Sequence, residues 1–246
     1  HLEQPYTKEM RMKRMSSKEQ SSLSFYHDLL QMIDNPSRRT FLGQSGTYQL
    51  TERIVDRALE FLEGASGEQE TFQSLMDSGK KENIKACYRF LEATERALEK
   101  CLQSQKLRSS KGLMGYGASK NRQKIQQAQT VLVGIKQLKK SVKKKEGIYK
   151  FSSKLKREAK SLAEEANSLS EEANRLTEAH GTIDDAEYKR QYDEYQKRSN
   201  QHKSKCDENN LNRQGVHVAF LQMKAGLSLN REGLKSDLKS YKSFLQ

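Results

Sequence analysis

Glu158-Ala-Lys-Ser-Leu-Ala-Glu164, Glu165-Ala-Asn-Ser-Leu-Ser-Glu171 and Glu172-Ala-Asn-Arg-Leu-Thr-Glu178 are three copies of one seven-residue phrase. Leucine holds the same place in each copy, and the spacing extends both ways as Ile148, Leu155, Leu162, Leu169, Leu176 and Ile183. An apolar residue at every seventh position keeps one side of a helix against a partner, which is the seam of a coiled coil.

Ala159, Ala166 and Ala173 hold the second seam position, and a small side chain there lets two backbones come close. The pattern resembles the close-packed antiparallel helix pairs called Alacoils, a packing class rather than a family. The partner is expected in the same chain. His180-Gly181 reads as a helix stop, and Thr182 with Asp185, or Asp184 with Glu187, as the next start. So short a connection favours antiparallel neighbours. From Tyr188 through Tyr192, Tyr195, Ser199, His202, Cys206, Asn209, Arg213, Val216, Phe220, Met223, Leu227, Leu234, Leu238 and Tyr241 to Leu245, three-four spacing defines a second long helix. Its polar middle, Ser199 to Arg213, should fray or receive a polar partner. A homodimer is the other way to cover the leucine seam.

Upstream, Ile125, Ala128, Leu132, Ile135 and Val142 form a stripe whose phase does not run on into Ile148, so a kink or phase slip is expected near Gly147. Shorter amphipathic helices are expected over Ser16 to Asp34, around Leu50 to Leu62 with a stop at Gly64, around Phe72 to Met76, and from Glu82 to about Arg108. Residues 35–46 read as turn-rich. His1-Leu2-Glu3 reads as the remnant of an expression tag.

Composition agrees with long helices. Of 246 residues, 34% are hydrophobic and 31% charged, with two prolines and no Trp, and the mean hydropathy is -0.97. Such a chain is too polar for one large α/β catalytic globule and lacks the turn residues of a β-rich fold. The expected fold is all-α, an elongated helical protein with a long antiparallel coiled-coil hairpin and a small N-terminal helical subdomain. The division expected is 1–15 as a tag or disordered arm, 16–110 as a short-helix bundle and 119–246 as the coiled coil, with a basic segment over 120–160.

The formal charge is +13, and residues 100–160 supply more than all of it. There Lys136, Lys139, Lys140, Lys143, Lys144, Lys145, Lys150, Lys154, Lys156, Arg157 and Lys160 meet only Glu146 and Glu158. Like charges at helical neighbour positions oppose helix formation, so the run points to an anionic partner. Lysine dominates over arginine, and only Tyr116, Tyr149 and Phe151 lie close by. An anionic lipid surface, which asks for charge density without bidentate geometry, suits this better than nucleic acid.

Chemistry finds little else. Cys87, Cys101 and Cys206 form no CxxC pair, the five histidines form no HExxH, and Gly112, Gly115 and Gly117 lack the Lys-Ser/Thr ending of a phosphate loop. No metal or cofactor is expected. His202 and Cys206, one turn apart, are the best chemical pair, but both sit in a coiled-coil stripe where packing is the common fate. The expectation is a non-enzymatic scaffold that docks on protein partners and an anionic surface, cytoplasmic or peripherally membrane-bound, with export by a non-Sec route as the alternative. In layout alone the chain is similar to crescent-shaped BAR domains and to secreted bacterial virulence proteins built on a long coiled coil; no motif carries either likeness.

Overall fold

The computed structural model describes residues 44–64, 71–110 and 118–246. The helix expected over Ser16 to Asp34 and the glycine cluster at 112–117 lie outside them. The described residues form five helices and no strand: α1 Gln44–Glu63, α2 Phe72–Asp77, α3 Lys81–Ser110, α4 Ala118–Ala179 and α5 Asp185–Leu245. The fold is all-α, with α4 and α5 packed as a long hairpin and a small N-terminal helical part.

Local chemistry sets the helix ends. Gly64 closes α1 at φ +81, a left-handed conformation that costs other residues about 1–2 kcal/mol. Thr71 caps α2 through a reciprocal box with Ser74. α1 starts at Gln44, inside the stretch expected to be turn-rich. Between the long helices, Gly181 also sits at φ +81 and the Thr182 amide and hydroxyl both donate to the Ala179 carbonyl. Asp184 then caps α5, its carboxylate accepting from the Ala186 amide. Asp185 and Glu187 in the first turn of α5 and Lys242 in its last oppose the helix dipole.

The contacts divide the described residues into two compact units, one of those up to 144 together with 225–246, the other of residues 145–224. In the first, Ile54, Val55 and Leu62 of α1, Phe72 and Met76 of α2 and Ile84, Leu91 and Leu98 of α3 are buried. So are Val131, Ile135, Leu138 and Val142 of α4 and Leu234, Leu238 and Tyr241 of α5. Phe61 stacks on Phe90 with centroids 3.8 Å apart and meets Phe72 edge-on. Gly134 lets α5 approach, since a Cβ there would lie 3.2 Å from Leu234 Cδ1.

The second unit is a two-helix coiled coil. Leu155, Leu169 and Leu176 are buried, Ile148 and Leu162 half-buried. Ile183 lies in the turn after α4 and does not extend its helical seam. Ala159 and Ala173 are half-buried and Ala166 is exposed, so alanines flank the seam instead of forming its closest approach. On α5, Tyr192 and Arg213 are exposed while Gln191 and Asn212 are half-buried, a correction of one position at each place. Tyr188, Tyr192 and Tyr195 form a ladder along their own helix.

No break occurs at Gly147, since α4 is helical throughout. The phase slip is nevertheless there. Inward positions run Leu138, Val142, Lys145, Ile148, Ser152 and Leu155, so two consecutive three-residue steps replace the alternation of three and four. This is a stammer, which overwinds a coiled coil locally without interrupting its hydrogen bonds.

Candidate functional site

In the first unit, the basic run of α4 is partly consumed by α3. Lys139 pairs with Glu95, and Lys136 lies 3.7 Å from Glu95 and 3.4 Å from Glu99. Glu95 is itself buried. These two lysines are therefore structural neutralisers of a buried acid. Lys140, Lys143 and Lys144 are exposed and carry no ion pair among the described residues.

In the second unit, Lys145 is buried, with its ammonium over the rings of Tyr149 and Phe220 at 5.8 and 6.0 Å. A lysine held there by cation–π contact is removed from any solvent-facing site. Lys150, Lys154 and Lys160 take Glu146, Glu158 and Glu164 four residues away. The segment thus does use i,i+4 pairing wherever an acid allows it. Lys156 and Arg157 remain exposed without a carboxylate, and Phe151 is exposed among the same residues at 44%.

Two features of the second unit go beyond the sequence reading, the first wholly and the second by the one residue that joins a pair already read there. On α5, Leu211, Val218 and Leu221 are exposed at 69, 53 and 54%. They lie on the side turned away from the seam, and between Asn209 and Asn230 only Arg213 and Lys224 are charged. In a chain so rich in charge, that depletion is legible in the sequence itself.

The other feature is a three-residue cluster across the hairpin, in which Glu165 joins the pair of His202 and Cys206. His202 Nε2 is 3.4 Å from Cys206 Sγ, and Nδ1 is 3.4 Å from Glu165 Oε2 on α4. The second distance is an ion-pair contact, not an aligned hydrogen bond. Lys205 holds both oxygens of the same carboxylate at 3.3 and 3.4 Å. Contacts with His202 and then Lys205 keep the Glu165 carboxyl below the usual carboxylate range. Glu158, Ser161, Leu162, Glu165, Lys205 and Asn209 line a cavity of about 290 Å³ on this flank, which Glu208 and Asn212 complete.

Among the described residues, no group of three or more His, Cys, Asp or Glu could hold a metal ion. Among them too, no helix is long and apolar enough to cross a membrane. No protein-family model, curated protein or solved structure matches this chain.

Proposed function

We propose that this chain is a non-enzymatic helical interaction protein that docks on an anionic lipid surface through exposed lysines of α4, and on protein partners through the charge-poor outer stretch of α5 around Leu211, Val218 and Leu221. The observation that carries the lipid part is the exposure of Lys140, Lys143 and Lys144 without any carboxylate partner among the described residues. Their charge is not used to stabilise the fold, and a helix gains nothing intrinsically from keeping like charges together. In the second unit, Phe151 beside Lys150 and Lys154 adds the pairing of aromatic ring and ammonium that suits a headgroup layer. The outer apolar positions Leu211, Val218 and Leu221 support the protein-docking part.

The test is co-sedimentation with vesicles containing phosphatidylserine, with neutral vesicles and with random duplex DNA, at two salt concentrations. Binding to the anionic vesicles should fall steeply as salt rises. The triple variant Lys140→Glu, Lys143→Glu, Lys144→Glu should lose roughly 1 kcal/mol per lysine near the surface. Equal vesicle binding by the folded variant would overturn the reading, and stronger retention on duplex would replace lipid with nucleic acid.

A further inference from the structure

The three cysteines fall into two kinds. Cys87 and Cys101 are buried in the first unit, and burial pushes the Cys101 thiol up to about 11 against the opposing hydrogen bond of Thr51. Shielded and protonated at neutral pH, such a thiol is inert. Cys206 is only half-buried, in the second unit, and its sulfur meets an imidazole instead of apolar side chains alone.

Two helices build the arrangement. The i,i+4 spacing on α5 brings His202 to Cys206, which by itself is ordinary packing of neighbours on one helix face. Glu165 arrives from α4 on the opposite edge of the ring. Glu165 Oε2 lies 3.4 Å from Nδ1 without an aligned hydrogen bond, and its negative charge on that side favours the tautomer with the proton on Nδ1, leaving Nε2 free to accept from the thiol. The His202 side chain is 13% exposed, so the ring is held in place between the helices. Charged groups around it are Glu165 on α4 and Lys205 on α5, which already hold one another.

We propose that Cys206 is a nucleophilic modification site for small disulfides of the glutathione type, with His202 accepting the thiol proton and Glu165 positioning His202. In the reaction the Cys206 proton passes to His202 Nε2, and the sulfur electron pair forms a new S–S bond to one sulfur of the disulfide. The old S–S bond breaks, and the departing thiolate takes the proton from His202. Cys206 ends oxidised as half of a mixed disulfide and the released half is a reduced thiol, so the disulfide itself is the oxidant.

The experiment treats the intact chain with glutathione disulfide and follows adduct position and rate by mass spectrometry, native and in urea. Cys206 should be modified before Cys87 and Cys101, at about tenfold or more the rate it shows in the unfolded chain. His202→Gln should bring the native rate down to the unfolded rate or below, and Glu165→Gln should give a partial loss. A native Cys206 rate no higher than the unfolded one overturns the proposal, as does a helical His202→Gln variant that reacts like the parent. Should His202→Gln fail to fold, the native-to-unfolded ratio of the parent decides alone.

Discussion

Asn209 of α5 donates its side-chain amide to the main-chain carbonyl of Leu155 on α4, at 3.3 Å and across 54 residues of sequence. The same amide lies 3.5 Å from a Glu158 carboxylate oxygen. Asn209 is buried in the seam, and only one alignment of the two helices offers that carbonyl, so this residue fixes their register. One polar group inside an apolar seam specifies alignment at some cost in stability.

Asn209→Leu should therefore leave stability within about 1 kcal/mol of the parent or raise it, because the Leu155 carbonyl remains bonded within its own helix. Alignment should loosen at the same time. Urea unfolding gives the first quantity, and spin labels placed at Ser161 and Lys203 give the second as a broadened distance distribution. A loss of several kcal/mol would show that Asn209 contributes stability and not only register.

Seam leucines should rank by burial. Leu155 is 2% exposed and Leu162 only half-buried. Leu155→Ala should cost about 2–5 kcal/mol and Leu162→Ala about half as much, as the cavity left at a half-covered site is open to solvent. Urea melts of the two variants check the order, and equal losses would mean that Leu162 is covered by something further.

Glycines inside α4 should respond oppositely. A Cβ at Gly147 meets nothing within 4 Å, so Gly147→Ala should stabilise by about 0.5–1 kcal/mol through helix propensity. Gly134 faces Leu234 and Asp237, and Gly134→Leu should destabilise by about 1–3 kcal/mol through overpacking. Thermal unfolding of both settles the pair.

Two carboxylates should tilt the pH dependence in opposite directions. His202 and Lys205 lower the Glu165 pKa in the folded state. Its contribution is therefore present above the ordinary carboxylate range and fades as pH falls through the lowered folded value. Desolvation raises the pKa of Asp237, so its ionisation opposes folding at neutral pH and the opposition is relieved on acidification. Glu165→Gln should flatten the acid loss of stability, and Asp237→Asn should raise stability at neutral pH while steepening that loss. Urea midpoints between pH 3 and 7 for the parent and both variants provide the check.

The hairpin was legible because its signals are local and repetitive. Leucines seven apart, the stop at Gly181 and the cap at Asp184 can be read without knowledge of the rest of the chain. The phase slip was legible too, but not its form, since Gly147 suggested a break that the unbroken hydrogen bonding of α4 does not need. The basic run was visible and its use was not. Whether Lys139 faces solvent depends on Glu95, which is 44 residues away and belongs to another helix. Lys145 belongs to the same basic run, yet it is buried with its ammonium over the rings of Tyr149 and Phe220. For the same reason His202 and Cys206 could be paired from spacing, whereas Glu165 could be joined to them only once the register was known.

The order of contacts along the hairpin bears on how the second unit forms. Arg198 meets Glu172 across 26 residues, Lys205 meets Glu165 across 40, and Asn209 meets Leu155 across 54. Each contact thus closes only a small additional loop once the one nearer the turn exists, and loop closure grows costly only slowly with length. Such a ladder is expected to fold as a zipper started at Gly181 and Asp184, with the register lock at Asn209 engaged late. Weakening the turn should therefore slow folding, whereas weakening the Asn209 lock should chiefly hasten unfolding.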